Sequence, residues 1–459
     1  MKSTRRHFLK SSAALAMTTA LSNSRVFGAN ERVNLGIIGF GLIGRIHSRN
    51  FKEQPDVQIA ALAETYQPRL AAGAELIDNP SLQKSSDFRR LLDNKSIDAI
   101  LVATPDHWHC LMTMMACAAG KDVYCEKPLT LFVKEGRWMI DCAKKHKRVV
   151  QVGTQQRSGP HFQKAKELIQ SGRLGQLVSV QMHYFRNVMP GFGTPPDSSP
   201  PPELDYDMWL GPAPKRPYNP NRAIYHFRWF WDYSGGQMTN LGQHSLDIVH
   251  WFTGTSGPKS IYSTGGRFFL KDNCEVPDTQ DVILDYGNYV VNVQWREAAA
   301  GGREGLGMGS LVFQGTKATM PISRLGYEII PDQKINPVNT VANILGGHPV
   351  GGPQPMEEAR DQLWTKGEVD KSGNVMEAYK LHARNFLDCV KSRATPNSDL
   401  ESGHQIAAAC HLANISLRTG KKILWNAARD EIVGDSEASQ MLSRPYRGPW
   451  DMELRALIG

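Results

Sequence analysis

The sequence predicts an α/β protein with two unlike domains, and two patterns along the chain indicate it. From Val33 to about Val152, apolar segments of strand length alternate with helical stretches, which is typical of a doubly wound parallel sheet. From Leu177 onward, alternating apolar and polar residues indicate half-exposed strands of an antiparallel sheet. We therefore expect a parallel-sheet domain over residues 30–152, an α/β domain over residues 153–425 and a C-terminal tail over residues 426–459.

Residues 1–29 have the composition of an export signal. Arg5 and Arg6 precede Phe8-Leu9-Lys10, and a mildly apolar stretch from Ser11 to Leu21 follows, too short to cross a bilayer as a mature helix. The paired arginines resemble a twin-arginine signal, which directs the export of folded proteins. We therefore expect a periplasmic protein that acquires any cofactor before it leaves the cytoplasm.

Composition narrows the classes of function. Five of the eight net positive charges lie in residues 1–29, and the roughly three that remain give no case for nucleic acid binding. No later apolar run is long enough for an integral membrane segment. The seven cysteines are scattered and no pair has CxxC spacing, so neither a zinc knuckle nor a disulfide framework is indicated.

The stretch Val33 to Gly44, which reads VNLGIIGFGLIG, predicts a dinucleotide site. In a G-x-G-x-x-G turn the first glycine allows a tight turn, the second lets the backbone approach a pyrophosphate, and the third lets strand and helix pack closely. Glu64 ends the next apolar segment, Val57 to Ala63, where a carboxylate would bind the ribose hydroxyls and favour NAD over NADP. Arg69 nearby keeps NADP as the alternative. The predicted contacts in the turn are Gly39, Phe40, Gly41, Leu42, Ile43 and Gly44.

Two more loops follow buried strands in this half of the chain. The segment Ile97 to Ala103 leads into Thr104-Pro105-Asp106-His107-Trp108-His109, and Asp122 to Cys125 leads into Glu126-Lys127-Pro128. Ligands bind at the carboxyl ends of such strands. For His107 and His109, capping of the next helix or packing is the alternative to contact with the cofactor. The predicted cofactor contacts in these loops are Thr104, Pro105, His107, His109, Glu126 and Lys127.

These motifs together resemble those of the glucose–fructose oxidoreductase, inositol dehydrogenase and MocA (Gfo/Idh/MocA) family. The resemblance rests on GFGLIG, on TPDHWH and above all on the Glu-Lys-Pro triplet, and it extends over nearly all of the mature chain. It implies an N-terminal Rossmann domain joined to a C-terminal α/β domain with an open, mostly antiparallel sheet. It also implies a cis bond before Pro128 and a homo-oligomer formed through the open sheet.

Lys127 is the first predicted catalytic residue. When a nicotinamide cofactor oxidises an alcohol, a hydride leaves carbon and a proton leaves oxygen. A lysine at the end of a central strand lies beside the nicotinamide half of the site, where its cation can orient the hydroxyl and stabilise alkoxide charge, or join the proton relay if its pKa is lowered. An exposed lysine before a turn is the alternative, and the family resemblance favours the catalytic role.

The stretch Gly235 to Asp247 supplies the second catalytic group. It resembles the family pattern D-x-G-x-H-x-x-D, which implies that His244 is the general base, a role suited to histidine near neutral pH. The first aspartate of the pattern is Asn240 here, and an amide can bind a hydroxyl but carries no negative charge. The chain then uses either a two-residue relay of Lys127 and His244 or a related reaction initiated by oxidation.

Three further residues are predicted to contact the substrate: Arg157, Trp231 and Asp247. Trp231 lies in the aromatic run Tyr225 to Tyr233, which could either stack on a sugar ring or pack in a core or subunit interface. A metal bound by His244, Asp247 and His250 is disfavoured, because His250 is rotated off the shared helical face and no Cys or Glu cluster completes a shell. We predict no metal site.

The sequence therefore predicts a periplasmic NAD(P)-dependent oxidoreductase that acts on a sugar, glycoside or polyol hydroxyl with a tightly bound cofactor. One alternative is a glycoside-cleaving enzyme that oxidises C3 transiently, eliminates the aglycone and then restores the cofactor. The other is a carbohydrate-binding protein that retains the dinucleotide without catalysis, which Asn240 favours and the pair of Lys127 and His244 disfavours.

Overall fold

A six-stranded parallel sheet organises the first domain of the computed structural model, which describes residues 32–300, 310–334 and 362–459. The strands are β1 Val33–Ile38, β2 Val57–Ala63, β3 Gln83–Ser85, β4 Ala99–Val102, β5 Asp122–Cys125 and β6 Val150–Val152. Their order in the sheet is β3-β2-β1-β4-β5-β6, with every pair parallel. This is the doubly wound order, with its crevice between β1 and β4, so the predicted Rossmann architecture is confirmed. The predicted twin-arginine segment lies outside the described residues.

Helices cover both faces of this sheet. They are α1 Leu42–Lys52, α2 Gln67–Ile77, α3 Arg89–Asp93, α4 His109–Ala118 and α5 Val133–Lys145. Strands β4 and β5 are buried along their whole length, Asp122 at the start of β5 included, as expected of strands that lie between two helical layers. The Lys127–Pro128 peptide directly after β5 is cis, as the resemblance implies.

A ten-stranded sheet organises the second domain. Its strands are β7 Leu177–Phe185, β8 Ser260–Gly266, β9 Thr279–Asp285, β10 Val290–Arg296, β11 Ser310–Gly315, β12 Ala318–Ser323, β13 Gly326–Pro331, β14 Glu368–Asp370, β15 Ile423–Asn426 and β16 Glu431–Ile432. The order is β14-β13-β12-β11-β7-β10-β9-β8-β15-β16, in which only β7 and β10 pair in parallel. The predicted open, mostly antiparallel sheet is confirmed, and β9 and β10 form a hairpin around Gly287.

Eight helices of the described residues follow β6. They are α6 Pro160–Gln170, α7 Tyr206–Leu210, α8 Gly236–Asn240, α9 Gly242–Thr253, α10 Val375–Ser392, α11 Leu400–Thr419, α12 Ser436–Gln440 and α13 Trp450–Ile458. Helix α9 and much of α11 pack on one face of the large sheet. The opposite face leaves Tyr262, Ile283 and Ile330 about half exposed. Within the described ranges no helix is long and apolar enough to cross a membrane.

The C-terminal elements return to the first domain. Phe386 and Leu387 of α10 are buried in the same cluster as β1 residues of the parallel sheet. Trp450 of α13 packs against Phe88 and Trp108, with ring centroids 6.1 and 4.8 Å away. The segment expected as a tail therefore forms two helices, and the last of them packs on the Rossmann domain. Segments of the chain that follow the large sheet thus pack on the parallel sheet at two places, α10 and α13, and connect the two domains.

Candidate active site

The three glycines of the turn after β1 have different neighbours. Gly39 has a φ of +92°, and a Cβ on it would lie 2.6 Å from the Ala103 carbonyl oxygen. A Cβ on Gly44 would lie 2.2 Å from the Gly39 carbonyl oxygen, so only glycine lets α1 start against β1. The nearest atom to a Cβ on Gly41 is instead Arg69 Nη1 at 3.7 Å, so open space lies beside its backbone. Helix α1 has no side-chain cap, which leaves the N–H groups of its first turn available to phosphate oxygens.

Glu64 lies directly across this turn, at the end of β2. Its buried carboxylate accepts a hydrogen bond from the Phe40 N–H at 2.8 Å and another from the Tyr66 N–H at 3.0 Å. Oε1 also accepts a hydrogen bond from the Thr65 hydroxyl at 3.4 Å, whereas Oε2 retains a lone pair for a further donor, such as a ribose hydroxyl. The Phe40 ring is buried in the core, so the residue contributes its backbone to the groove and its side chain to packing. These groups fit the pyrophosphate and adenosine ribose of NAD.

Residues 186–233, which we call the strap, cross over this groove from the second domain. Leu204 forms a β-bridge with Tyr66, and the Asp205 N–H donates to the Thr65 carbonyl oxygen at 3.0 Å. Tyr225, Phe227 and Arg228 of the strap line the same narrow slot as Gly41 and Glu64. The slot continues into a larger cleft between the domains, with Leu42, Ile43, Thr104, Tyr225, Phe227 and Arg228 lining both.

The two histidines after β4 hold neighbouring chain segments in place. His107 Nε2 lies 3.0 Å from the Trp209 carbonyl oxygen of α7, and burial lowers its pKa to about 3, so it is neutral. His109 bridges the Thr104 carbonyl oxygen at 2.9 Å and the Pro128 carbonyl oxygen at 2.6 Å. Both rings lie behind the groove, which is lined by Thr104 and Pro105 themselves. The structure thus places these histidines as packing residues, the alternative role considered for them.

Lys127 points into the larger cleft, which has a volume of about 590 Å³. Its Nζ donates to both the backbone and the side-chain oxygen of Asn240, each at 3.0 Å. Burial lowers the pKa of Lys127 to about 8; the neighbouring Glu126 opposes this shift and Arg228 adds to it. Glu126 lines the cleft as well and is held by His47, whose Nε2 lies 2.6 Å from its carboxylate.

Asn240 connects Lys127 to a chain of polar side chains. Its Nδ2 donates to Gln237 Oε1 at 3.2 Å, and Gln237 Nε2 donates to Glu297 Oε1 at 2.8 Å. The other oxygen of Glu297 pairs with Arg186 from the end of β7. Asn240, which stands where the family has an aspartate, therefore accepts a hydrogen bond from Lys127 through its amide oxygen and donates one to Gln237 through its amide nitrogen. A carboxylate at this position could not donate to Gln237.

His244 lies on α9 and lines the same cleft as Lys127. Burial lowers its pKa well below the usual value, and the positive charges of Lys127 and Arg324 lower it further. The ring is therefore neutral at physiological pH. Its Nδ1 is buried, and neither ring nitrogen has a hydrogen-bond partner in the part of the chain that the structure describes. A neutral imidazole with a free nitrogen can accept a proton.

The predicted substrate contacts of Arg157, Asp247 and Trp231 are not seen in the structure. Arg157 Nη2 pairs with Asp247 Oδ1 at 2.8 Å, and both side chains are almost fully buried beneath the cleft, where each charge needs the other. The Trp231 ring faces away from the cleft and lies under the Arg418 guanidinium of α11, 5.1 Å from the ring centroid. Other members of the aromatic run, Tyr225 and Trp229, line the cleft instead.

The metal alternative finds no support in the placement of its three residues. Asp247 is paired with Arg157, and His250 Nε2 lies 2.6 Å from the Tyr286 hydroxyl. Among the described residues no three His, Cys, Asp or Glu side chains are grouped as metal ligands.

Several residues that line the cleft carry no sequence signal. They are Tyr184, Arg186, Gln237, Arg324 and Tyr379. They come from β7 and its end, from the β12–β13 turn and from α8 and α10, and the chain folds so that their side chains meet. Gln156, which the sequence offers as a substrate contact from its place just after β6, lines the cleft as well. The Glu-Lys-Pro triplet indicates that Glu126 has a partner, since a carboxylate buried at the end of a strand needs one. Nothing in the sequence identifies His47, 79 residues away, as that partner.

Comparison with known proteins shows matches in both domains. Residues 33–154 match the profile of an oxidoreductase family with an NAD-binding Rossmann fold, and residues 159–288 and 368–452 match the C-terminal alpha/beta domain of an oxidoreductase family. An uncharacterized oxidoreductase, YrbE of Bacillus subtilis, is 33% identical over 255 residues, which are 55% of this chain and 63% of that protein. A myo-inositol 2-dehydrogenase of Thermotoga maritima is 31% identical over 175 residues, which are 38% of this chain and 48% of that protein. The matched regions thus span less than two thirds of both relatives.

Among solved structures, a levoglucosan dehydrogenase in complex with NADH and levoglucosan has a TM-score of 0.63 to this chain. The superposition covers 88% of this chain and 100% of that one, at 17% sequence identity. At this identity the likeness shows that the two chains share a fold.

Proposed function

Because the chain belongs to the Gfo/Idh/MocA family of NAD-binding oxidoreductases, we propose that it transfers a hydride between a sugar, glycoside or polyol hydroxyl and NAD. The observation that carries this proposal is the placement of Lys127 and His244 in one cleft that is continuous with the glycine turn and Glu64. Names of relatives such as myo-inositol 2-dehydrogenase support a polyol or sugar as the substrate class.

The two side chains divide the chemistry between them. NAD, when bound, supplies the acceptor for the hydride that leaves the carbinol carbon. His244 is neutral and takes the hydroxyl proton, while the Lys127 cation directs an N–H at the same oxygen and stabilises its developing negative charge. Asn240 accepts two of the three N–H groups of that cation, so the third is left for the substrate oxygen.

The test of this function uses mature protein purified without added cofactor. The near-ultraviolet band of reduced nicotinamide is measured before and after each member of a panel of sugars, glycosides and polyols. A rise with one substrate class is expected and would identify that class. Glycoside cleavage with no net rise would support the transient C3 oxidation, and bound cofactor with neither result would support a carbohydrate-binding protein.

We also propose that the cofactor stays bound between turnovers, because the strap closes over the slot that would hold adenosine. The backbone hydrogen bonds between the strap and residues 65–67 must break before that half of the cofactor can leave. Glu64 then sets the preference for NAD, since a 2′-phosphate would meet its carboxylate.

Glu64→Gln is expected to weaken NAD binding by roughly tenfold, because it removes the charge from the hydrogen bonds to ribose. It should also narrow the preference for NAD over NADP. Nicotinamide content per chain after purification, and the dissociation constants of both cofactors for stripped protein, measure the effect. Glu75→Gln on the exposed face of α2 is the control. An unchanged NAD-to-NADP ratio in Glu64→Gln would remove Glu64 from the specificity site.

The lowered pKa of Lys127 predicts a pH dependence with a definite sign. Lys127 is a cation below about pH 8 and loses its proton above it, so we expect the rate constant of oxidation to fall as the pH rises through about 8. Asn240→Asp should move that inflection upward, because a carboxylate within hydrogen-bond distance of Nζ stabilises the cation. A rate that instead rises through the same pH would make Lys127 the base.

Periplasmic localisation by the twin-arginine route remains our proposal. All seven cysteines are free and buried, which suits a protein that folds in a reducing compartment and is exported already folded. When cells express the full sequence, fractionation should find the protein in the periplasm. A variant with Arg5→Lys and Arg6→Lys should remain in the cytoplasm. Equal distribution of both would exclude the route.

A homo-oligomer is proposed to form through the exposed face of the large sheet. Tyr262 and Ile283 are cross-strand neighbours there and are about half exposed, as is Ile330 on β13. Light scattering after size exclusion should show at least a dimer for the wild type and a monomer for Ile283→Glu. Met452→Glu, at an exposed site on α13, should leave the oligomer intact.

A further inference from the structure

We infer that Arg324 binds a carboxylate of the substrate, so that the substrate is an acidic sugar, such as a uronic or aldonic acid, rather than a neutral one. This inference rests on the proposed function, because it takes the cleft beside Lys127 and His244 as the substrate site. It adds the chemical class of the substrate and the residue that selects it.

Arg324 lies in the tight turn between β12 and β13. Ser323 and Gly326 pair directly across this turn, so Arg324 and Leu325 form its tip. Leu325 is exposed to solvent, whereas Arg324 is only partly exposed and lines the cleft together with Tyr184 of β7 and Tyr379 of α10. The turn thus places one long cationic side chain in the wall of the cleft. This side chain comes from the second domain.

The guanidinium is close enough to act on the catalytic groups. After burial and Lys127, the positive charge of Arg324 is the next influence that lowers the pKa of His244. It also contributes to lowering the pKa of Lys127. A group held on the substrate by Arg324 would therefore lie in the same cleft as the reacting hydroxyl.

Among the described residues, Arg324 is the cleft arginine that has no ion pair, no hydrogen bond and no aromatic ring as a partner. Arg186 is paired with Glu297. Arg228 donates to the Tyr225 carbonyl oxygen, lies 4.7 Å above the Phe227 ring and stands where the cleft meets the cofactor slot. No hydrogen bond or ion pair of Arg324 with another side chain is present in residues 32–300, 310–334 and 362–459.

The acids that line the cleft are already engaged. Asp106 accepts a hydrogen bond from the Ser234 hydroxyl, and burial raises its pKa, which disfavours its charged form. Glu126 is held by His47 and by the Lys127 N–H. Among the described residues no acid is therefore left to balance Arg324, and a carboxylate of the ligand would do so.

A carboxylate fits this requirement better than a hydroxyl does. It carries a full negative charge and accepts two parallel N–H groups of a guanidinium, which fixes its orientation as well as its charge. It also offsets the repulsion between Arg324 and the Lys127 cation, which a neutral sugar cannot do. A phosphate group shares the charge, so the experiment includes it as a separate arm.

Binding is measured by calorimetry on protein loaded with NADH, so that no hydride leaves the sugar and catalysis is not required. The probes are glucuronate, galacturonate and gluconate, with glucose, galactose and glucitol as their respective neutral counterparts, and glucose 6-phosphate as the phosphate arm. For the wild type we expect at least one of these acids to bind roughly 10- to 150-fold more tightly than its neutral counterpart, as for hydrogen bonds to a charged group.

Three variants assign that preference to Arg324. Arg324→Gln is expected to bring the acid and its neutral counterpart to within about threefold, and Arg324→Lys to restore part of the preference because it keeps the charge. Arg455→Gln, at an exposed position of α13, should behave as the wild type.

Several outcomes would overturn the inference. They are equal binding of acid and neutral sugar by the wild type, binding of none of the acids, a preference that survives in Arg324→Gln, and tighter binding of the sugar phosphate than of every carboxylate. Failure of the proposed function would look different: the acid would bind through Arg324, yet no bound NAD would be reduced by it.

Discussion

Lys127→Met is expected to lower the rate constant of hydride transfer by roughly a thousandfold while the protein keeps its cofactor and its fold. Methionine preserves the length and the apolar part of the side chain but removes the N–H groups that reach Asn240 and the substrate oxygen. The alkoxide charge that develops during oxidation would then lose the cation that donates an N–H to it.

The same variant should be at least as stable as the wild type. Burial lowers the pKa of Lys127, which means that the cation is less favourable in the folded protein than in the unfolded chain. The methionine variant has no cation at this position, so its folded state is not destabilised by burying one. Single-turnover measurements of hydride transfer, nicotinamide content per chain and the midpoint of thermal unfolding give the three readouts. Lys134→Met at an exposed site of α5 is the matched control.

A modest loss of rate, below about tenfold, would show that Lys127 does not stabilise the transition state. A large loss accompanied by an equal loss of nicotinamide would mean that the lysine acts on cofactor binding instead. Either result would leave the fold assignment untouched and would move the catalytic role to His244 alone.

His244→Ala is expected to lower the same rate constant by roughly 10²- to 10⁴-fold, the usual contribution of a general base. The imidazole is neutral in the folded protein, and its ring nitrogens are without partners in the described ranges, so the proton of the substrate hydroxyl has one evident acceptor in the cleft. Removing the ring leaves a space that free imidazole can enter. Partial recovery of the rate with added imidazole would assign the proton transfer to this position.

The control for His244 is His183→Gln on β7, a partly exposed histidine that is not among the residues lining the cleft. If Lys127 and His244 act as a unit, the double variant should be scarcely slower than the slower single variant. Fully additive losses would mean that the two side chains work on separate steps. Recovery by imidazole in Lys127→Met would contradict the assignment of proton transfer to His244.

Much of the first domain was predictable because its signals are local. The bounds predicted for β2 and β5 agree with the structure, since each is an apolar run that ends at a polar loop. Helix α11 likewise ends before Gly420, whose φ of +68° stops a helix. Strand length, helical spacing and glycine turns depend on neighbours within a few residues, so the sequence expresses them directly.

The contacts among the site residues could not be predicted in this way. Lys127 and Asn240 are 113 residues apart, and the sequence marks Asn240 only as a departure from the family aspartate. Arg157 and Asp247, predicted beside the substrate, find each other instead because two opposite charges buried together satisfy one another. In the aromatic run, Trp231 faces Arg418 whereas Tyr225 and Trp229 face the cleft. Composition alone does not distinguish those directions.

The sequence by itself thus determined the two-domain α/β class, the dinucleotide turn and the identity of the lysine and histidine, because each is written in a short segment whose geometry follows from its own residues. The tertiary structure alone decided which charges meet. It placed Arg324 beside Lys127 and His244 without a carboxylate among the described residues, it closed the strap over the cofactor groove, and it set the pKa values of the catalytic pair. Those properties arise from burial and from side chains brought together across long separations in the chain, which no local pattern encodes.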